Sequence, residues 1–353
     1  MNILADASLN GLSEAFPAPF VITTYKQEDE ITVLLRNQDV LLCRSTLKVN
    51  AALLKQHALR YVATASSGID HIDLSYLKSN QIQVLDAKGS NANAVTDYVL
   101  CCIAYLQTQQ VIKGNQLGVI GVGEVGSKVY TKMGTCGFNV LAYDPLKAET
   151  YPDFKWCTQA NLFECDVLCI HAELQDTTPY PSRNLIDAAF LARLKPGCIL
   201  INAARGGIVN EQALLSNQQS LVYCTDVYLN EPAIDARIIT KAKLCTPHIA
   251  GHSLEAKQSA LRMLSQKLHK IAGLRAPIFA PSKKIKLIQS LKQLPWQQQV
   301  LCLYDPLKET LLLKQAVDKQ SAFLLLRKQH NTRHDFSVYD FQGPPFQGLK
   351  CST

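Results

Sequence analysis

Twelve cysteines are present, yet no two are spaced C-x-x-C, and that absence removes the zinc-ribbon and dithiol readings. The thiols are scattered, with Cys165 and Cys169 inside the apolar run Cys165-Asp166-Val167-Leu168-Cys169-Ile170. Reduced, mostly buried cysteines and no metal site are therefore expected. No apolar run reaches membrane-spanning length. The start, Met1-Asn2-Ile3-Leu4-Ala5-Asp6, has neither the basic residues nor the continuous apolar core of a signal peptide. A cytoplasmic protein with no membrane partner is expected. Internal repeats and low-complexity segments are also missing, which leaves an ordinary globular chain of 353 residues, long enough for two or three domains. Only 18% of residues are charged against 47% apolar, a normal globular balance. The net charge of +7 is uneven: residues 276–353 hold eleven Lys or Arg and five Asp or Glu, so +6 of it lies there. No nucleic-acid-binding motif accompanies that excess, so nucleic acid is not an expected partner, and a solvated basic face is its ordinary use.

What is present is concentrated between residues 117 and 144. The apolar strand Leu117-Gly118-Val119-Ile120 runs into Gly121-Val122-Gly123-Glu124-Val125-Gly126, a G-x-G-x-x-G spacing. A helical run follows, and a second strand, Val140-Leu141-Ala142-Tyr143, ends in Asp144, 18 residues after Gly126. Strand, glycines, helix, strand and acid in that order point to a dinucleotide-binding unit, with a glycine-rich surface turn as the alternative that this context disfavours. Gly121 permits the tight turn, Gly123 lets a pyrophosphate approach the backbone, and Gly126 lets the helix pack close to the strand. The amides of Glu124 and Val125, at the helix N-terminus, suit the phosphates. Asp144 is placed to accept hydrogen bonds from an adenosine ribose, and its charge would repel a 2′-phosphate, which favours NAD over NADP.

Upstream, residues 1–95 alternate short strands and helices: the start is strand-like, Val40-Leu41-Leu42-Cys43 and Leu59-Arg60-Tyr61-Val62-Ala63-Thr64 are buried-type strands, and 49–59 and 73–79 have helical periodicity. Hydroxyl residues follow two of these strands, Ser45 after Arg44 and Ser66-Ser67-Gly68 after Thr64. Loops beyond strand carboxyl ends are where open parallel sheets hold ligands, although ordinary turn chemistry uses the same residues. Residues 93–109 are apolar on nearly every side, as a buried helix requires. Beyond the fingerprint, further βα repeats begin with strands over 166–171, 199–203 and 222–227, the pattern of a doubly wound parallel sheet. A long helix spans 254–272. Pro277 and Pro281 then mark a boundary before a tail in which 300–304 and 336–339 look like strands flanking a helix over about 315–328. The resulting divisions are 1–95, 96–250, 251–281 and 282–353.

Three polar residues sit at the ends of the later strands: Arg205 in Asn202-Ala203-Ala204-Arg205-Gly206-Gly207, Glu231 in Val227-Tyr228-Leu229-Asn230-Glu231-Pro232, and His248 in Thr246-Pro247-His248-Ile249-Ala250-Gly251. Singly they read as a surface arginine, a turn glutamate and a core histidine. Together, after a dinucleotide fingerprint, they fit oxidation of an alcohol beside a carboxylate. A neutral histidine is suited to take the hydroxyl proton near neutral pH. A carboxylate on its other ring nitrogen fixes the tautomer and favours the imidazolium formed. An arginine fork grips the substrate carboxylate with a planar geometry that lysine lacks.

These motifs resemble the D-isomer-specific 2-hydroxyacid dehydrogenase family over about residues 40–270. The resemblance implies Arg205, Glu231 and His248 as the catalytic residues. It also implies cofactor contacts at Gly121, Gly123, Glu124, Val125, Gly126, Asp144, Ala203, Ala204, Arg205, Asp226 and Gly251. The implied fold is α/β: a doubly wound Rossmann NAD domain inserted in a flavodoxin-like substrate domain that chain segments 1–95 and 251–281 build. Within the family the chain is most similar to a branch that oxidises a small phosphorylated 2-hydroxy acid. That likeness rests on residues 2–6, 44–50 and 64–71, on His248-Ile249-Ala250-Gly251-His252-Ser253-Leu254-Glu255, and in the tail on Tyr304-Asp305-Pro306 and Leu326-Arg327-Lys328. It implies substrate contacts at Ser45, Ser66 and His252, and a small C-terminal α/β dimerisation domain over 282–353 that makes the chain a homodimer. The basic residues Arg327, Lys328 and Arg333 would then lie where a phosphorylated substrate benefits from them. Three positions depart from the branch, which has threonine at Ser66, tyrosine at His252 and commonly asparagine at Glu124. The competing readings are a dehydrogenase for another D-2-hydroxy acid, such as 3-phosphoglycerate, and a non-catalytic NAD-sensing protein.

Overall fold

The computed structural model describes residues 1–55, 57–330, 333–341 and 346. It divides into two compact units, residues 1–91 with 253–283, and residues 92–252 with 284–353.

The first unit is built on a five-stranded parallel sheet of β1 (Asn2–Asp6), β2 (Val21–Tyr25), β3 (Val40–Cys43), β4 (Tyr61–Thr64) and β5 (Gln83–Leu85), in the order β2-β1-β3-β4-β5. Only β3 and β4 are buried at every position, which is why their apolar runs stand out in the sequence while the more exposed β2 and β5 do not. The helix Leu254–Ile271 starts at Ser253, whose side chain accepts from the Ala256 amide at 2.9 Å, and turns Ala260, Leu261, Leu264 and Leu268 onto the sheet face that carries Ile3 and Ala5. Residues 50–55 depart from the helical periodicity of 49–59 and form turns. Asn50 Oδ1 accepts from the Ala52 and Leu53 amides, giving the backbone a local alternative to helix. The helix expected next does form, over Leu74–Ser79, capped by Asp73.

The second unit carries a six-stranded parallel sheet of β6 (Gln116–Ile120), β7 (Asn139–Tyr143), β8 (Val167–Ile170), β9 (Ile199–Asn202), β10 (Val222–Thr225) and β11 (Leu244–Cys245), in the order β11-β10-β9-β8-β6-β7. The chain leaves β6 toward β7 and returns to β8 on the other side of β6, so strand order reverses at the end of β6, where the fingerprint lies. The helix Ala92–Thr108 is buried on nearly every side, packed against the helices Glu124–Thr135 and Trp296–Leu303.

The tail departs from expectation. Residues 300–304 and 336–339 are not strands: the first ends the helix Trp296–Leu303, the second is a 3-10 turn over Phe336–Val338. The other tail elements are the helices Gln289–Lys292, Leu307–Gln315 and Lys319–Gln329, and its pairing among the described residues is the isolated bridge Ile285↔Tyr339. Short apolar runs do not separate a strand from a buried helix turn. Val300, Tyr304 and Phe336 enter the same core as Tyr98 and Leu117. Thr310 of the tail accepts the Cys245 amide at 2.9 Å, covering the edge strand β11 that would otherwise present a free backbone donor. The tail is thus part of the nucleotide unit's packing. No helix is long and apolar enough to cross a membrane among the described residues.

Candidate active site

The fingerprint glycines are each required for a different reason. Gly121 has φ +84°, and a Cβ there would overlap the backbone of Ala172; one at Gly126 would overlap the carbonyl oxygen of Gly121. A Cβ at Gly123 would meet nothing within 4 Å: the space before the first turn of the helix Glu124–Thr135 is open, as the approach of a diphosphate to free amides demands. Asp144 ends β7, and its Oδ2 accepts from the Val122 amide at 2.8 Å while Oδ1 accepts from the Lys147 amide at 3.1 Å. Lys147 in turn donates from Nζ to the Val122 carbonyl at 2.6 Å. Beside this acid lies a cavity of about 330 Å³ lined by Asp144, Pro145, Ala148, Glu149, Trp156 and Tyr180, among others. An apolar, partly aromatic hollow next to a carboxylate fits an adenosine, with the acid left to reach the ribose. Trp156 and Tyr180 were not singled out by the sequence, because they come from loops that converge only in the fold.

Sheet order explains how the three polar candidates converge. β9, β10 and β11 are adjacent and parallel, and Arg205, Glu231 and His248 all follow their carboxyl ends. A Cβ at Gly206 would overlap the Tyr228 carbonyl, so the loops of Arg205 and Glu231 touch. His248 Nδ1 is 2.6 Å from Glu231 Oε2, and Glu231 Oε1 accepts the Tyr228 amide at 2.9 Å. Burial alone would raise the Glu231 carboxyl, but the charge and hydrogen bond of His248, the Tyr228 amide and the charge of Arg327 together hold it below its ordinary value. Arg205 is half-buried, its Nη1 donates to the Ala204 carbonyl at 2.8 Å, and its own carbonyl accepts from Asn202 Nδ2 at 3.1 Å. His248 has φ +56°, a left-handed conformation uncommon for a residue with a side chain, which persists only where the surroundings impose it.

Those surroundings begin with Asp226, expected as a cofactor contact. It is 1% exposed. Its Oδ1 accepts from the Ile249 amide and the Thr246 hydroxyl, both at 2.7 Å, and its Oδ2 accepts from the Ala250 amide at 2.8 Å. Burial pushes this carboxyl up, opposed by the charge of His248 and by those bonds. Tyr98 and Tyr228 extend the network to Thr246 at 2.8 and 3.0 Å. Asp226 therefore braces the His248 loop from within. Arg333, grouped with Arg327 and Lys328 as a source of charge for phosphate, is also buried against carbonyls of this loop. At the loop's end His252 lies 6.3 Å from the His330 ring.

Ser45 and Ser66 belong to the first unit, after the neighbouring strands β3 and β4. Ser45 is exposed and Ser66 half-buried. Arg44 beside them pairs with Asp6 at the end of β1, Nε to Oδ2 at 2.8 Å. Burial works to raise the Asp6 carboxyl, but bonds from Ser8 and Arg44 hold it below its usual range.

His171, which no spacing marked, is the polar side chain overlooked in the sequence. It follows β8 at the point of strand-order reversal, where its amide donates to the Ile120 carbonyl at 2.8 Å and its backbone lies against the Gly121 turn. Although the residue as a whole is partly exposed, both ring nitrogens are shielded and have no partner among the described residues. Burial depresses the imidazole to about 3, so it is neutral.

Known proteins resemble this chain in sequence and in fold. A family model described as D-isomer specific 2-hydroxyacid dehydrogenase, NAD binding domain, matches residues 104–250. Erythronate-4-phosphate dehydrogenase of Legionella pneumophila (strain Philadelphia 1) is 56% identical over 340 residues, 96% of each chain. The enzyme of that name from Coxiella burnetii (strain RSA 331) is 33% identical over 328 residues, 88% of each chain. The NAD-bound structure of NAD-dependent formate dehydrogenase from Staphylococcus aureus matches with a TM-score of 0.63 at 21% identity, covering 80% of this chain and 100% of that one, a likeness of fold. The chain belongs to the D-isomer specific 2-hydroxyacid dehydrogenase family. It is an NAD-dependent dehydrogenase, and the relatives it matches over nearly their whole length are erythronate-4-phosphate dehydrogenases.

Proposed function

We propose that this chain oxidises 4-phospho-D-erythronate at C2 to the corresponding 2-oxo acid, a step of pyridoxal phosphate biosynthesis. Full-length identity of 56% to a relative with that name, joined to the 2.6 Å pairing of Glu231 with His248, carries the reading. His248 Nε2 takes the proton of the C2 hydroxyl, and Glu231 on Nδ1 holds the tautomer and favours the resulting imidazolium. Bound NAD supplies the acceptor for the hydride that leaves C2. Arg205 binds the substrate carboxylate and polarises the oxygen that becomes the carbonyl. Ser45, Ser66 and His252 contact the rest of the substrate, an imidazole standing at His252 for the phenol of the branch.

The diphosphate is held over Gly121, Gly123 and Gly126 by the Glu124 and Val125 amides, and the ribose by Asp144. The nicotinamide end is assigned to Ala203, Ala204, Arg205 and Gly251, with Asp226 acting on it through the loop it braces. The protein works in the cytoplasm as a homodimer joined through its tail. Exposed Leu311, Leu312, Leu324 and Leu325 on the two long tail helices support that assembly. Absorbance of reduced nicotinamide decides the substrate: formation with erythronate 4-phosphate well above that with 3-phosphoglycerate is expected, and the reverse preference would transfer the chain to the competing dehydrogenase.

A further inference from the structure

The loop that follows His248 is held from two sides by opposite charges. Its amides at Ile249 and Ala250 go to the buried Asp226 carboxylate. Its carbonyls go to a guanidinium from the far end of the chain. Arg333 Nε donates to the His252 carbonyl at 3.0 Å, and Nη2 is directed at the Ile249 carbonyl at 3.4 Å, at the Ala250 carbonyl, and at the Ala94 carbonyl at 3.3 Å. Arg333 is 7% exposed, its guanidinium lies 4.6 Å from the centre of the Tyr304 ring, and Nη1 is buried with no bond among the described residues.

A buried guanidinium is retained only where hydrogen bonds and nearby charge replace its lost hydration. Most of that replacement comes from the peptide units just after His248. The remaining charge balance is with Asp97, whose carboxyl burial pushes up while Lys132, the Phe336 amide and Arg333 oppose that rise; Asp97 accepts the Phe336 amide at 2.7 Å. So the tail is anchored to the nucleotide unit at Asp97, and Arg333 reaches from that anchor to the loop. His248 itself has a left-handed backbone, a conformation that relaxes unless neighbouring units are fixed. The strained residue thus lies beside the peptide units that Asp226 and Arg333 clamp.

We propose that Arg333 is a positioning residue for the dehydrogenase reaction, clamping the carbonyls of Ile249, Ala250 and His252 so that His248 stays in its left-handed conformation against Glu231. The C-terminal segment is then part of the catalytic machinery of its own chain. The inference rests on the assignment of His248 as the proton acceptor. Tyr304 places its ring over the guanidinium, and lysine cannot replace the arginine because one ammonium does not span three separated carbonyls.

The test compares Arg333→Ala and Arg333→Lys with the parent chain. Arg333→Ala is expected to lower kcat between about tenfold and about a hundredfold, the scale of a small displacement of a catalytic group. Affinity for ADP-ribose, which lacks the nicotinamide, should stay unchanged. Added guanidinium ion should restore part of kcat by entering the vacated site. Arg333→Lys should fall between the two and carries the test if the alanine variant does not fold. Amide exchange over residues 248–252, expected to quicken, needs no substrate and so separates failure of the clamp from failure of the assigned reaction. Parent-like kcat with parent-like exchange in either variant would overturn the proposal. A loss of kcat matched by an equal loss of ADP-ribose affinity, without guanidinium rescue, would also overturn it by making Arg333 a brace of the whole fold.

Discussion

Glu231 Oε2 stands 2.6 Å from His248 Nδ1, on a histidine whose φ is +56°. The bond occupies the ring nitrogen nearer the backbone and leaves Nε2 to meet a substrate, so in the proposed reaction base and orienting carboxylate have separate tasks. His248→Ala should lower kcat about 10²- to 10⁴-fold, the usual contribution of a positioned general base. Glu231→Gln should give a smaller loss and an altered pH profile, because the carboxylate tunes the base and does not take the proton. Steady-state rates across pH check both, and a Glu231→Gln profile superimposable on the parent would dissolve the dyad.

Arg205 follows β9 in the loop next to Glu231, and the close approach of Gly206 to the Tyr228 carbonyl fixes that neighbourhood. In the proposed reaction it meets the substrate carboxylate, and the fingerprint proposed to hold the nucleotide's diphosphate is elsewhere. Arg205→Ala should therefore lower kcat/KM by about 10²- to 10³-fold, the scale of removing one preorganised donor, with the Kd for NAD within about threefold of the parent. Isothermal titration with NAD beside kinetics reads the two effects apart; near-normal turnover would remove Arg205 from the site.

Much of this site was legible in the chain because it depends on short-range grammar. Strand, glycines, helix and acid lie within 117–144, and Arg205 and Glu231 each follow an apolar strand that announces itself, whereas β11 before His248 is only Leu244–Cys245 and leaves no such mark. What was not legible depends on neighbours distant in sequence. Trp156 and Tyr180 join Asp144 around one cavity, Asp226 turns its carboxylate into the His248 loop, and His171 matters because the sheet brings β8 beside β6. The tail misled for a related reason: Val300–Leu303 is apolar enough for a strand, but it is buried against a helix, whose surface a period-two reading does not anticipate. Residues 50–55 show the opposite failure, turns where the pattern over 49–59 is helical.

Asp144 meets the fingerprint through the Val122 amide and borders the cavity that fits an adenosine. Removing its charge should relax the discrimination against a 2′-phosphate. Asp144→Ala is expected to shift the NAD over NADP preference in kcat/KM by at least about tenfold toward NADP, while weakening NAD because a ribose acceptor is lost. Paired measurements with both cofactors check this, and an unchanged ratio would move the discrimination to another residue.

His171 couples stability to acid. Burial holds its imidazole at about 3 in the folded chain, against about 6.5 when unfolded. Between those values the unfolded chain binds the extra proton, so stability rises with pH there, and falls as pH drops below about 6.5, by at most about 1.4 kcal/mol per pH unit. His171→Asn keeps a polar side chain but cannot titrate. Urea midpoints measured from pH 7 to pH 4.5 should decline less steeply in the variant, and parallel declines would mean that the imidazole gains a proton freely in the fold.

Assembly is the remaining question, and the tail's two faces argue it. One face is committed to the nucleotide unit: Leu313 and Phe323 are 0% and 2% exposed. The other is not: Leu311, Leu312, Leu324 and Leu325 are each about half exposed, at 46–54%. Covering the exposed half of one such side chain contributes about 1 kcal/mol, and a two-fold contact counts each of the four leucines twice, enough to offset the several kcal/mol that association costs. Deleting the tail would not test this, because Val300, Tyr304 and Phe336 would leave the core of the nucleotide unit with it. Substitutions confined to the exposed face do. The parent should sediment as a dimer of the 39.1 kDa chain. The double variant Leu312→Asp, Leu324→Asp should sediment as a monomer, because a two-fold axis sets its new charges against their own copies, while NAD affinity and melting of the nucleotide unit stay close to the parent's. A monomeric parent, or a variant that remains dimeric, would place any interface on another surface.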